Sequence, residues 1–273
     1  MSISLRPERV SEVVERSVRT GRPLDAVAVA LFATMVSVAG APRPSLWFDE
    51  AATISASTRT VPQLWRMLGN IDAVHGLYYL LMNGWFAVFP ATEFWSRLSS
   101  SLAVGIAAAG VVVLGKQLST RPVALAAGVA FAVLPRVTWA GIELRSYALT
   151  MVAGVWLTVF CVAAVRRNGT RWWVGYAVLT IAATLLNVFL VLLVGVHAVV
   201  VMVLGRSSKV LWRWAVAAGA AVVVVIPFLV FTQTQLFQVG WISPLSARTV
   251  GEVLREQYFD DSLPFAVLSG LIL

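Results

Sequence analysis

Four short stretches of this chain carry residue types that move protons, hold phosphates or orient sugars. Trp47-Phe48-Asp49-Glu50-Ala51-Ala52 sets two acids side by side among apolar neighbours. A carboxylate held partly out of water is pushed toward the range of a general base. The same Asp49 could instead cap a helix that begins near Glu50. Asp72-Ala73-Val74-His75 puts an acid and an imidazole three residues apart, on one face if the segment is helical. That pair could hold a sugar hydroxyl, a proton or a metal, or be an N-cap followed by a helix-terminal histidine. Glu143-Leu144-Arg145-Ser146-Tyr147 offers an acid and a guanidinium that could pair with each other, beside a tyrosine of the interfacial-belt type. Arg97, in Trp95-Ser96-Arg97-Leu98, stands where a guanidinium could meet a phosphate at headgroup level or snorkel to the interface.

The elements that must position these groups are membrane helices. Of 273 residues 59% are hydrophobic and 12% charged, with mean hydropathy +0.83, too apolar for a soluble domain of this length. The apolar runs approach the ~20 residues a spanning helix needs. They are rich in Ala, Val and Leu without the alternation of barrel strands. The chain therefore reads as all-α and polytopic. Spans are expected near 24–41, 97–115, 122–135, 146–165, 172–187, 188–204 and 212–232, with a break at Asn187 in the long uncharged stretch. Residues 1–23 read as a polar, Arg-rich cytoplasmic segment and not a cleavable signal peptide. Leu273 falls inside a further apolar run, so residues 1–273 read as one transmembrane domain cut short at its C-terminus.

Charge sets the sidedness. If the stretch 75–90 does not cross, thirteen basic and four acidic side chains share one side, and eight arginines and nine acids the other. The positive-inside rule then puts the N-terminus in the cytoplasm and all four polar stretches outside. Segment 75–90 becomes a re-entrant or interfacial helix in the first outer loop. Thr60 is placed to cap a second one, with Val61, Leu64, Trp65 and Leu68 as its apolar stripe, lying in the headgroup plane or packed on neighbouring spans. Thr249 to Glu252 reads as a capping box. The tryptophans at 47, 65, 95, 139, 172, 173, 212 and 214 read as interfacial anchors, and His197 as a satisfied packing histidine.

Other chemistries find no motif. The basic residues are scattered over short loops, which argues against nucleic acid as a partner. Cys161 is the one cysteine, so no disulfide framework or thiolate metal site is available. There is no Gly-rich phosphate cradle and no H-E-x-x-H zinc motif. No metal ligand set is assigned, and a divalent cation stays open as a cofactor.

Taken in order, WFDEAATISAS, DAVHGLYYLL, EFWSRLSSSLA and GIELRSYALTM resemble the GT-C superfamily of polytopic membrane glycosyltransferases. The likeness is to the bacterial branch related to protein O-mannosyltransferases and lipid A aminoarabinose transferases. It covers about residues 20–165, and beyond Arg166 only the hydropathy matches. Where that family commonly has Pro after the His, Gly76 stands here. The resemblance implies a GT-C-type bundle with interfacial helices in the first outer loop. It implies an inverting transfer, on the outer face of the plasma membrane, from a polyprenyl-phosphate sugar to a glycan, lipid or protein acceptor. It makes Asp49 the base with Glu50 in support, puts Arg97 near the leaving phosphate, and gives Asp72, His75, Glu143, Arg145 and Tyr147 to substrate binding. Mannose and arabinose are the donors it points to. Two other readings stand beside it. A non-catalytic scaffold or lipid-glycan binding protein would not need Asp49, and a flippase would line mid-span faces with polar residues.

Overall fold

The computed structural model describes residues 23–41, 45–205, 207–240 and 262–272, with residues 246, 249, 252 and 259 singly. Every regular element among them is helical: α1 Pro23–Val38, α2 Phe48–Ser57, α3 Val61–Leu68, a 3-10 turn Ala73–His75, α4 Gly76–Phe86, α5 Glu93–Leu118, α6 Arg121–Val133, α7 Pro135–Gly141, α8 Tyr147–Arg167, α9 Thr170–Leu186, a 3-10 turn Val188–Leu192, α10 Leu193–Leu204, α11 Ser208–Gln233, a 3-10 turn Leu236–Val239 and α12 Leu263–Ile272. The expected Thr249–Glu252 capping box lies largely outside the described residues.

Three of these helices, α5, α8 and α11, are long and apolar enough to cross a membrane, and the α6–α7 pair, bent by 62°, would make a fourth. Helix α1 has 16 residues and α9 has 17. Helix α4, with 11 residues, rises about 16 Å, half the thickness of a hydrocarbon core. The break at Asn187 falls where the uncharged run required one. Its Oδ1 accepts from the Phe189 amide at 3.0 Å and starts the 3-10 turn before α10.

Helix α5 is the axis of the first half, packed by α1, α6, α7 and α8. The approach of α1 depends on a missing side chain: a Cβ on Gly105 would lie 2.1 Å from Thr34 Oγ1 and 2.8 Å from the Ala30 carbonyl oxygen. Val29, Ala33, Val104, Ala108, Val112 and Ala148 fill this core. A second core joins α8, α9, α10 and α11 around Leu157, Cys161, Tyr176 and Ala218. Trp173, expected at an interface, is buried there, and the Trp214 indole N–H donates to the Tyr176 hydroxyl at 3.4 Å. Helices that are apolar all round give no phase from sequence, so these two rings turn inward unannounced.

That second core contains a directed chain of hydrogen bonds. Thr158 Oγ1 donates to the Gly154 carbonyl at 2.8 Å and so accepts from His197 Nε2, 3.1 Å away. His197 Nδ1 is then the acceptor for the Tyr176 hydroxyl at 3.0 Å, which in turn accepts from Trp214. The fully buried His197 is thus satisfied at both nitrogens and ties α8, α9, α10 and α11 together.

The two ends of the bundle differ. Helix α5 runs from Arg97 at one end to Lys116 at the other, and α8 runs from Tyr147 to Arg166 and Arg167. At the far end Asp25 takes Lys116 at 2.7 Å and both forks of Arg121 at 2.8 Å. The residues singled out for chemistry all lie at the near end.

Candidate functional site

Glu50 is the keystone of the near end. Helix α2 begins at Phe48, with Trp47 as its N-cap, so Asp49 and Glu50 both sit in the first turn. The expectation that Asp49 itself might cap this helix is not met. Consecutive helical residues point about 100° apart, so the two acids face different surroundings. Glu50 turns inward and is completely buried. Its Oε1 accepts from Arg97 Nε at 2.8 Å and from the Leu144 amide at 2.9 Å. Its Oε2 accepts from Arg97 Nη2 at 2.5 Å and from the Trp47 amide at 3.3 Å.

Arg97 is 1% exposed and also donates to the carbonyls of Ala41 at 3.0 Å and Ser45 at 3.1 Å. The family resemblance implies a place near the leaving phosphate for this guanidinium, with snorkelling to the interface as the alternative. It is instead enclosed by Glu50 and by the chain that follows α1, because a buried charge needs a partner and several acceptors to offset its lost hydration. Glu50, expected beside Asp49 in the chemistry, is likewise occupied four times over.

Arg97 belongs to a serine-rich turn of α5 whose neighbours fix the second acidic stretch. Ser100 Oγ donates to the Glu143 carbonyl at 2.6 Å and Ser101 Oγ to the Gly141 carbonyl at 2.8 Å. Together with the Leu144–Glu50 bond they hold the link between α7 and α8, so that Glu143 and Arg145 project from a stiff support. The SSS run in EFWSRLSSSLA was a usable signal. Three hydroxyls in a membrane helix need partners, and here Ser100 and Ser101 bond a loop while Ser99 donates back to the Ser96 carbonyl at 2.7 Å.

Asp49 is left partly exposed. Its side chain is 34% exposed and pairs with Arg145 Nη2 at 3.6 Å. Arg145 is 16% exposed and its Nε is buried with no hydrogen-bond partner. Two further buried polar atoms close by, Tyr78 Oη and Glu143 Oε2, are also unpartnered. Glu143 is raised to about 7, by burial first and then by the nearby Glu50 carboxylate, against the pull of Arg145, Arg136 and Arg97. Tyr147 is exposed, its ring 6.0 Å from the Arg145 guanidinium and 5.4 Å from the Trp139 ring.

The other part of the polar cluster comes from the 3-10 turn. Asp72 precedes it with φ 58°, a left-handed conformation that acids tolerate better than most side chains. His75 and Asp72 do not share an α-helical face as expected, because the segment is 3-10. Both nonetheless lie near Asp49 and Arg145, whose charges reach His75. Burial, then Arg145, lowers the His75 pKa below its usual value, while Asp72 and Asp49 pull it up. Tyr79 donates to Asp72 Oδ2 at 3.3 Å, and its ring lies 5.8 Å from that of His75. The turn is held from far along the chain. Gln235 Oε1 accepts from the Ala73 amide at 2.9 Å, Gln238 Oε1 from the Asp72 amide at 3.2 Å, and Gln235 Nε2 donates to the Leu68 carbonyl at 3.0 Å. Neither glutamine was singled out in the sequence, and no local signal marks them.

Compared with family models, curated proteins and solved structures, the chain has no significant match. The site is therefore read from its own geometry. It gathers Asp49, Asp72, His75, Tyr79, Glu143 and Arg145 at one end of the bundle. Among the described residues no group of three or more His, Cys, Asp or Glu could hold a metal ion.

Beneath the 3-10 turn lies an apolar cavity of about 450 Å³, bounded by Trp65 and Leu68 of α3, Ala73, Leu77 of α4, and Phe228 and Phe231 of α11. Pro227 stands inside α11 just before these two phenylalanines. Helix α3 is built as expected, with the Thr60 amide donating to Gln63 Oε1 at 3.1 Å. Its apolar stripe divides: Leu64 and Leu68 are buried on α4, whereas Val61 and Trp65 face outward.

Proposed function

We propose that this protein is a GT-C-type membrane glycosyltransferase. It moves a sugar from a polyprenyl-phosphate donor to an envelope glycan, lipid or protein on the outer face of the plasma membrane, with inversion. The observation that carries the reading is the Asp49–Arg145 pair, close enough to Asp72 and His75 for their charges to act on the imidazole, with an apolar cavity beneath the 3-10 turn. The four sequence stretches resembling that superfamily supply these residues, and an apolar cavity near a polar cluster suits a substrate with a polar head and an isoprenoid tail.

In this reading Asp49 removes the proton of the acceptor hydroxyl as its oxygen bonds to the anomeric carbon. The bond from that carbon to the phosphate oxygen breaks, and polyprenyl monophosphate leaves with the electron pair. Arg145, with Nε unpartnered, stabilises the charge growing on the phosphate. Asp72, His75 and Tyr147 orient sugar hydroxyls. Glu50 and Arg97 act through others: they fix the first turn of α2 and the Leu144 amide, and so set the Asp49–Arg145 separation. Partial exclusion of water from the polar cluster protects the donor from hydrolysis.

Asp49→Asn tests the proposal. With the complete gene in its host, mass spectrometry of envelope glycans should show loss of one sugar in the variant as in the deletion strain. The variant should remain folded in the membrane. Unchanged glycans in the Asp49→Asn strain, with a deficit in the deletion, would make the protein a lipid-glycan binding scaffold.

A further inference from the structure

We propose that the basic end of the bundle binds one anionic diacyl phospholipid, in a groove between α9 and α11 remote from the candidate site. The groove encloses about 330 Å³. Both helices start at the end that carries Arg166 and Arg167, and they run side by side toward the other. Val174 and Val178 line one wall and Val216 and Ala220 the other. The valines are half or more exposed, at 58%, 58% and 51%, and Trp212 at the mouth is 69% exposed. An apolar channel of this kind, open sideways into hydrocarbon and beginning at headgroup height, fits an acyl chain better than a soluble ligand.

Charge selects the headgroup. On α9, Arg171 stands three and seven residues before Val174 and Val178. On α11, Lys209 stands three and seven before Trp212 and Val216. These spacings put Arg171 and Lys209 one turn above the groove on its own face. Arg213 lines the mouth and is anchored there, donating from Nη1 to the carbonyl and the side-chain oxygen of Asn168. Thr170 adds a hydroxyl at the same level. Among the described residues at this end the acid is Asp25, taken by Lys116 and Arg121. Cations above an apolar groove at the surface that the positive-inside rule assigns to the cytoplasm match a phosphodiester with two acyl chains.

Native mass spectrometry of the purified full chain tests this, after exchange into nanodiscs of phosphatidylglycerol, phosphatidylcholine or their equal mixture. The wild type should retain one phosphatidylglycerol in preference to phosphatidylcholine. Arg171→Gln/Lys209→Gln should weaken retention by about five-fold for each charge removed. Ala220→Phe should abolish it by filling the groove with every charge in place. Equal retention of the two lipids, or a phosphatidylglycerol preference indifferent to both variants, overturns the proposal. So does a dimer in the wild type that Ala220→Phe dissociates, since a second copy would then occupy the groove. Lipid retention is measured without any sugar transfer, so this proposal and the glycosyltransferase reading can fail separately.

Discussion

Glu50 and Arg97 meet through both carboxylate oxygens, at 2.8 Å and 2.5 Å, with neither side chain reaching solvent. The pair joins the start of α2 to the start of α5. Through the Leu144 amide it also reaches the start of α8. Removing one member would leave a buried charge without its partner, at a cost of about 3–5 kcal/mol. Glu50→Gln and Arg97→Gln are therefore expected to lower the thermal unfolding temperature in detergent sharply. Wild-type unfolding in either variant would show that the pair does not position this end of the bundle.

Asp49→Asn should do the reverse. Asp49 is a third exposed and holds Arg145 loosely, so its loss should leave unfolding nearly unchanged. Transfer should fall by about 10²–10⁴, the contribution of a positioned base. The check is sugar transfer in membranes bearing each variant, normalised to folded protein. Comparable transfer by Asp49→Asn and wild type would remove Asp49 from the chemistry.

Glu143 gives the fold a pH dependence of defined sign. The folded protein keeps its proton to about pH 7, whereas the unfolded carboxyl loses it near 4.5. Between these values the folded state holds the extra proton, so stability should decline as pH rises through that window and level off above it. Allowing for a half-solvated position, the decline is on the order of 1 kcal/mol. Glu143→Gln should flatten this part of the profile in unfolding measured from pH 4.5 to 8. A variant that keeps the full slope would assign it to another group.

His197 tests the packing of the second half. Tyr176→Phe and His197→Ala each break the directed chain between α9 and α10, and the bond they share should be worth about 0.6–1.7 kcal/mol, with His197→Ala costing more because it also empties a buried site. A double-mutant cycle should show coupling, because both act on one bond. Strict additivity in that cycle would deny the bond an energetic role.

The sequence made the membrane helices legible because hydropathy and charge act over whole segments. The short length of α4 and the break at Asn187 followed from the same reasoning. Placing Asp49, Arg97, Glu143 and Arg145 at one end needed no more than sidedness. The division of labour between Asp49 and Glu50 was not legible. Adjacent helical residues diverge, and which of them meets Arg97 depends on the rotation of α2 against α5. The 3-10 geometry of Ala73–His75 was hidden for a related reason. Its amides are satisfied by Gln235 and Gln238, more than 160 positions away, and no local pattern announces such a partner.

Those two glutamines make the two halves of the polar cluster unequal. Asp49, Glu143 and Arg145 are bolted to a buried ionic lock. Asp72 and the turn to His75 hang from the side-chain amides of Gln235 and Gln238, just past the C-terminus of α11, through neutral hydrogen bonds. Whatever engages the chain after Gln238 is thus one peptide group away from Asp72. A shift of Gln235 and Gln238 would be read as a change in the distance from Asp72 to the Asp49–Arg145 pair, with the latter as the fixed reference.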